Sequence, residues 1–192
     1  VNNKNIIFPI PKYKRPKIKN ASGPYSGYNG KIDFVDLIIG SEGIYGLITS
    51  CKLKVDNKPK DYLELFLCLK NEKEAIDFHD YLYKKFDKDM SRISALEYFG
   101  YNSQKYMKHK SFLFKKSSDV GIYIQIPIFN TFIESKSKEW VKIIKDFDNS
   151  INLDDIIVLN DPLSWKKFFE SRHSIPDNAL TKTKQLGGIS II

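Results

Sequence analysis

The sequence predicts an α+β fold, an antiparallel sheet with helices packed on one face. Residues 120–129 alternate Ile122, Ile124, Ile126 and Ile128 against Tyr123 and Gln125, the two-residue period of a strand buried on one side. Residues 132–147 carry Trp140, Ile143, Ile144 and Phe147 at helical spacing. From Asp61 onward, strand-like and helix-like runs follow in the order strand, helix, strand, then strand, helix, strand, helix. That is the order of a split β-α-β arrangement.

In chain order, residues 1–31 read as irregular, with Pro9, Pro11, Pro16 and Pro24 among Gly23, Gly27 and Gly30. So long a structureless opening fits a segment of a larger fold. The apolar run from Asp36 ends in a glycine turn. Residues 47–55 read as a strand, with Cys51, Leu53 and Val55 on one face and Lys52 and Lys54 on the other. The polar break Asp56-Asn57-Lys58-Pro59 marks a domain boundary, dividing 1–58 from 59–192. Residues 62–69 form a dense apolar strand. Asn71, with Glu74 three residues on, starts a helix whose apolar face is Ile76, His79, Tyr83 and Phe86. Residues 93–99 are a short strand, 101–110 one or two helical turns, and 155–159 another short strand. Asp161-Pro162 opens the last helix, striped by Trp165, Phe168 and Phe169. The arrangement of 59–192 is ferredoxin-like, and that fold alone names no function.

The chain has 192 residues, 42% apolar and 14% aromatic. That suffices for one well-packed domain, or a small domain plus part of another. No apolar run is long enough to cross a bilayer, and no signal-peptide pattern opens the chain. A cytoplasmic location is expected, with peripheral membrane association left open. The net charge of +8 invites a nucleic-acid reading. Only Arg15, Arg92 and Arg172 are arginines, however, and the lysines are spread without a dense block. Arg is the residue suited to bidentate phosphate and base contacts, so no nucleic-acid partner is expected. Cys51 and Cys68 lie in apolar stretches and read as two buried free thiols.

Function is legible in Ile39-Gly40-Ser41-Glu42-Gly43-Ile44-Tyr45-Gly46-Leu47-Ile48-Thr49. Its glycines recur every three residues, which suits a turn that lets backbone approach a phosphate and offer free N–H groups. Together with the upstream Lys19-Asn20-Ala21-Ser22-Gly23-Pro24, it resembles the signature of the FAD-linked oxidases that share the vanillyl-alcohol oxidase flavin fold. That family includes D-lactate, glycolate and D-2-hydroxyglutarate dehydrogenases and alkyl-dihydroxyacetonephosphate synthase. Residues 165–176 are similar to a segment of the family's cap domain. Ile44 and Tyr45 stand where the family commonly has Thr and Leu.

The resemblance implies that 1–58 is the C-terminal part of an FAD-binding domain, and that 59–192 is an incomplete cap, or substrate, domain. It implies FAD contacts from Ser22, Gly23, Gly40, Ser41, Glu42, Gly43, Ile44, Tyr45, Gly46, Leu47 and Ile48. The implied reaction passes a hydride from a 2-hydroxy acid or related alcohol to FAD, with the electron acceptor undefined. The family's first pyrophosphate loop and its later histidines have no counterpart in the chain. A piece truncated at both ends and inactive by itself is therefore expected.

The resemblance also implies that Arg172 binds the substrate carboxylate, a role suited to a planar fork. The alternative is an Arg stabilised at a helix C-terminus by the helix dipole. Residues 187–192 lack the Lys that the family's 2-hydroxy-acid dehydrogenases carry there. His79, His109 and His173 show no metal-ligand spacing. His79 is expected to pack on its helix; His173 could face a substrate but is expected at the surface, and Tyr123 and Gln125 could line a substrate cleft but are expected to face solvent. The rival reading is a stand-alone ferredoxin-like module for a small ligand or RNA. An RNA-binding sheet presents aromatics flanked by arginines, where residues 120–129 present isoleucines.

Overall fold

A computed structural model of the chain describes residues 35 and 38–188. The expected contacts at Ser22 and Gly23, the irregular segment 1–31 and the last residues, 189–192, lie outside the described residues. The chain divides into two units, Val1–Asp56 and Asn57–Ile192, at the polar break.

In the second unit, β1 (Asp61–Leu69) is followed by α1 (Glu72–Lys85), β2 (Ala95–Phe99), the single turn α2 (Lys110–Leu113), β3 (Val120–Ile128), α3 (Ile133–Phe147), β4 (Ile156–Val158) and α4 (Pro162–Gln185). The strands form one sheet in the order β2-β3-β1-β4, and every neighbouring pair is antiparallel. This is the ferredoxin-like order. Its centre is the nine-residue ladder of β1 and β3, from Asp61 opposite Ile128 to Leu69 opposite Val120.

Alternation sorts the side chains of these strands to the two faces. Leu63, Leu65 and Leu67 of β1 join Ile122, Ile124 and Ile126 of β3 under Ala75, Phe78 and Leu82 of α1 and Trp140, Ile143 and Ile144 of α3. Both helices thus share one face, as the sequence predicts. The other face is covered as well. Phe66, Cys68, Phe99 and Tyr123 pack there with Phe168 of α4 and with Leu113 and Phe114. Burial on both sides explains why β1 reads as a nearly continuous apolar run from Leu65 to Leu69.

Several local expectations are corrected. The buried face of α1 is Ala75, Phe78 and Leu82, whereas Ile76 and Tyr83 are exposed. His79 is exposed too, its Nδ1 3.1 Å from the Asp80 carboxylate, and does not pack into the core. Asn71 caps α1 by accepting from the Glu74 N–H at 2.9 Å, but Glu74 reaches back to the Lys70 N–H rather than to that of the cap. The last helix runs well beyond its aromatic stripe. It passes through Pro176, which leaves the Arg172 carbonyl without its usual helical donor.

In the first unit, no strand forms over residues 47–55. A strand needs a partner to satisfy its ladder, and the alternation here finds none among the described residues. Leu47, Leu53 and Val55 are exposed. Cys51 is exposed and only Cys68 is buried, so the expected pair of buried thiols is half right. No helix among the described residues is long and apolar enough to cross a membrane.

Candidate functional site

Residues 38–48 fold as a succession of tight turns. Ser41 N–H donates to the Ile38 carbonyl at 3.1 Å, Ile44 to Ser41 at 3.0 Å and Gly46 to Gly43 at 3.2 Å. Gly40, Gly43 and Gly46 have φ of 75°, 82° and 134°, and Glu42 has φ of 49°. Gly43 is required by this left-handed backbone and not by crowding, since a Cβ there would meet nothing within 4 Å. The N–H groups of Glu42, Gly43, Leu47 and Ile48 donate to no described residue. Free backbone N–H groups in such a run of turns can bind an anion. The donor set of this strip therefore suits a pyrophosphate. The Glu42 carboxylate does not, and its place would be against a neutral donor. Ile44, Leu47 and Ile48 are exposed beside these amides.

The second candidate lies on the α4 side of the sheet. Arg172 donates from Nε and Nη2 to the two carboxylate oxygens of Glu97 on β2, both at 2.8 Å. The hydrogen bond to Glu97 raises the guanidinium pKa further above its ordinary value. Glu97 lies opposite Tyr123 of β3. The Tyr123 hydroxyl donates to Glu64 of β1, and Gln125 Nε2 donates to the same carboxylate at 2.9 Å. Burial, the Glu64 hydrogen bond and the charges of Glu64 and Glu97 push the Tyr123 pKa far up. Tyr123 is therefore a fixed donor that holds its proton at any ordinary pH.

Tyr123 was expected to face solvent, and the structure overturns this. It is buried beneath α4, its ring stacked 4.7 Å from Phe168 and 6.4 Å from Trp165. Gln125 is half-buried. Phe168 is the fully buried member of the stripe, while Trp165 and Phe169 remain partly exposed. The buried hydroxyls of Ser171 and Ser174 accept from the His109 and Lys108 N–H groups, at 3.2 and 3.1 Å. These contacts set the rotation of α4 and direct Arg172 to β2. His173 is exposed against Phe169, with ring centroids 4.1 Å apart.

Sequence reasoning missed Glu64 and Glu97. The available signal was a single carboxylate inside each of two apolar strands. Among the described residues, no three His, Cys, Asp or Glu side chains converge as a metal site. No family model and no curated protein matches the chain.

Proposed function

We propose that the chain is part of a flavoenzyme that oxidises a 2-hydroxy acid or a related alcohol. The observation that carries this reading is the strip from Gly40 to Ile48, a glycine signature whose left-handed turns leave backbone amides free for an anion. In this reading the amides of Glu42, Gly43, Leu47 and Ile48 hold the FAD dinucleotide, and bound FAD supplies the hydride acceptor.

Arg172 holds the substrate carboxylate. Its fork is filled by Glu97, so the substrate enters by exchange with an internal carboxylate of the same geometry. The rival RNA module is less well supported, because Phe66, Phe99 and Tyr123 are buried on the sheet face where bases would stack.

The test is the full gene product with whatever residues flank this chain. It is expected to carry stoichiometric flavin, visible in the absorbance of the denatured supernatant, and Gly43→Val is expected to lower that content. A colourless protein ends the flavin reading. Arg172→Ala should lower kcat/KM for a carboxylate substrate by about ten- to a few hundred-fold while sparing its uncharged alcohol analogue. Glu97→Gln should lower KM for the carboxylate. Equal loss on both substrates would leave Arg172 as a structural residue only.

A further inference from the structure

We propose that a second cleft, on the α1/α3 side of the sheet, binds a small amphipathic organic anion consisting of a flat apolar body and one carboxylate. The cleft has a volume of about 370 Å³ and lies among the end of α1, the turn Met90–Arg92, the end of β3 and α3. An apolar cavity of roughly 150 Å³ holds a benzene ring, so this space accommodates a ring with a short acidic chain.

The cations come first. Arg92 lines the cleft, and no carboxylate of a described residue lies within ion-pair distance of it. Its guanidinium rests 5.5 Å from the centroid of the Phe86 ring, on the cleft wall. The nearby Asp89 instead accepts from the Ser91 N–H and caps the turn. Lys136 also lines the cleft. Its side chain is only 23% exposed, and it pairs with Glu139 at 2.8 Å. The lining therefore sets two cations against one carboxylate, and the Arg92 fork makes no ion pair, although its charge, after the hydrogen bonds from Ser91, helps to lower the pKa of the nearby Asp89 carboxylate. A planar fork matches an oxyanion such as a carboxylate through two parallel N–H bonds.

The apolar part comes second. Trp140 lines the same cleft at 2% exposure, and its indole N–H donates to no described residue. Phe129, at the mouth, is 46% exposed. A bare inorganic anion would leave both rings unused. An uncharged apolar ligand would bury Arg92 beside it without compensation. A carboxylate on an apolar body satisfies both halves. This site stands independently of the flavin reading, since none of its residues belongs to the glycine strip or to the Arg172–Glu97 pair.

The experiment titrates the full chain with 3-phenylpropionate, 3-phenylpropan-1-ol and inorganic phosphate. It follows the Trp140 indole N–H by NMR, with Trp140→Phe assigning the signal. Saturation by 3-phenylpropionate at around millimolar concentration is expected, with the alcohol and phosphate each at least about tenfold weaker. Arg92→Ala should weaken the acid by about tenfold or more, and Arg92→Lys should recover part. Arg92 is exposed, so these variants fold. The proposal is overturned if acid and alcohol bind alike, if phosphate matches the acid, if Arg92→Ala changes nothing, or if the Trp140 signal does not move.

Discussion

Gly121 has no room for a methyl group. A Cβ on it would lie 2.1 Å from the Phe66 ring, and that ring is held by Phe99, Phe114 and Phe168 at 5.7, 5.4 and 6.0 Å. Phe66 is fully buried and cannot yield, so Gly121→Ala should cost roughly 1–3 kcal/mol, as overpacking does. Urea denaturation would read this, and Phe66→Leu in the same chain should return part of it. Cys68 faces Gly121 across the ladder and is 9% exposed. Burial, then the charge of Asp119, pushes its thiol up from 9.0 to about 12. A raised folded value means the folded chain holds this proton after the unfolded chain has lost it. The contribution to stability is thus full below pH 9 and is lost as pH rises towards 12. A thiol reagent at neutral pH should accordingly modify Cys51 at once and Cys68 only on unfolding; rapid reaction of both would contradict the buried assignment. Nothing in the apolar neighbourhoods of the two cysteines separates them, because what buries Cys68 is a sheet and a helix distant in sequence. Glu64 and Glu97 stand out as lone carboxylates in apolar strands, but their partners Tyr123, Gln125 and Arg172 were illegible for the same reason.

At the scale of elements, the patterns that came through are those with one strong period. The isoleucines of β3 and the Trp140, Ile143 and Ile144 face of α3 appear where the alternation and helical spacing put them. The face of α1 did not, because Ala75, Phe78, Leu82 and Phe86 fit a helical period as well as Ile76, His79, Tyr83 and Phe86 do. The choice falls to the sheet, which accepts the set with Phe78 and Leu82 at its centre. Residues 47–55 alternate as a strand should, yet a period cannot supply the neighbour that a strand needs. The start of α4 was legible from Asp161 and Pro162. Asp161 accepts from Ser164 at 2.9 Å and Leu163 at 3.1 Å, and the bonds from Ser164 above all lower its pKa from the ordinary value of 3.8. A lowered folded value means that the cap's contribution is present above pH 3.8 and fades as pH falls through the lower value. Asp161→Asn keeps the acceptor and removes the titration. Its stability should match that of the parent at neutral pH and fall less steeply in acid. Equal acid slopes would show that the cap does not titrate as described.

For the molecule as a whole, the question is whether the α4 layer is integral to the second unit or an addition to a complete ferredoxin-like sheet. The sheet with α1 and α3 would close one core without α4. Its other face, however, carries Phe66, Cys68, Phe99 and Tyr123, all buried, and only α4 with the residues around α2 covers them. Burying each large aromatic stabilises by about 1.5–3 kcal/mol, so exposing three of them would consume much of the 5–15 kcal/mol typical of a domain. The same four strands line both cores, so neither core can open without disturbing the ladder between β1 and β3. The unit Asn57–Ile192, at 136 residues, is large enough to fold alone. It is therefore expected to unfold in urea as one cooperative transition, and its two tryptophans allow a direct check. Trp140 lies in the α1/α3 core, and Trp165 lies beside Tyr123 on the α4 side. Trp140→Phe and Trp165→Phe variants isolate one fluorescence signal from each face. After correction for the cost of each substitution, measured by circular dichroism on the same sample, fluorescence and dichroism should share one midpoint in both variants. Truncation after Leu159 should then leave a chain that does not fold. A Trp165 transition that precedes loss of the sheet, or a truncated chain with native dichroism, would instead make α4 a detachable cover over a self-sufficient sheet.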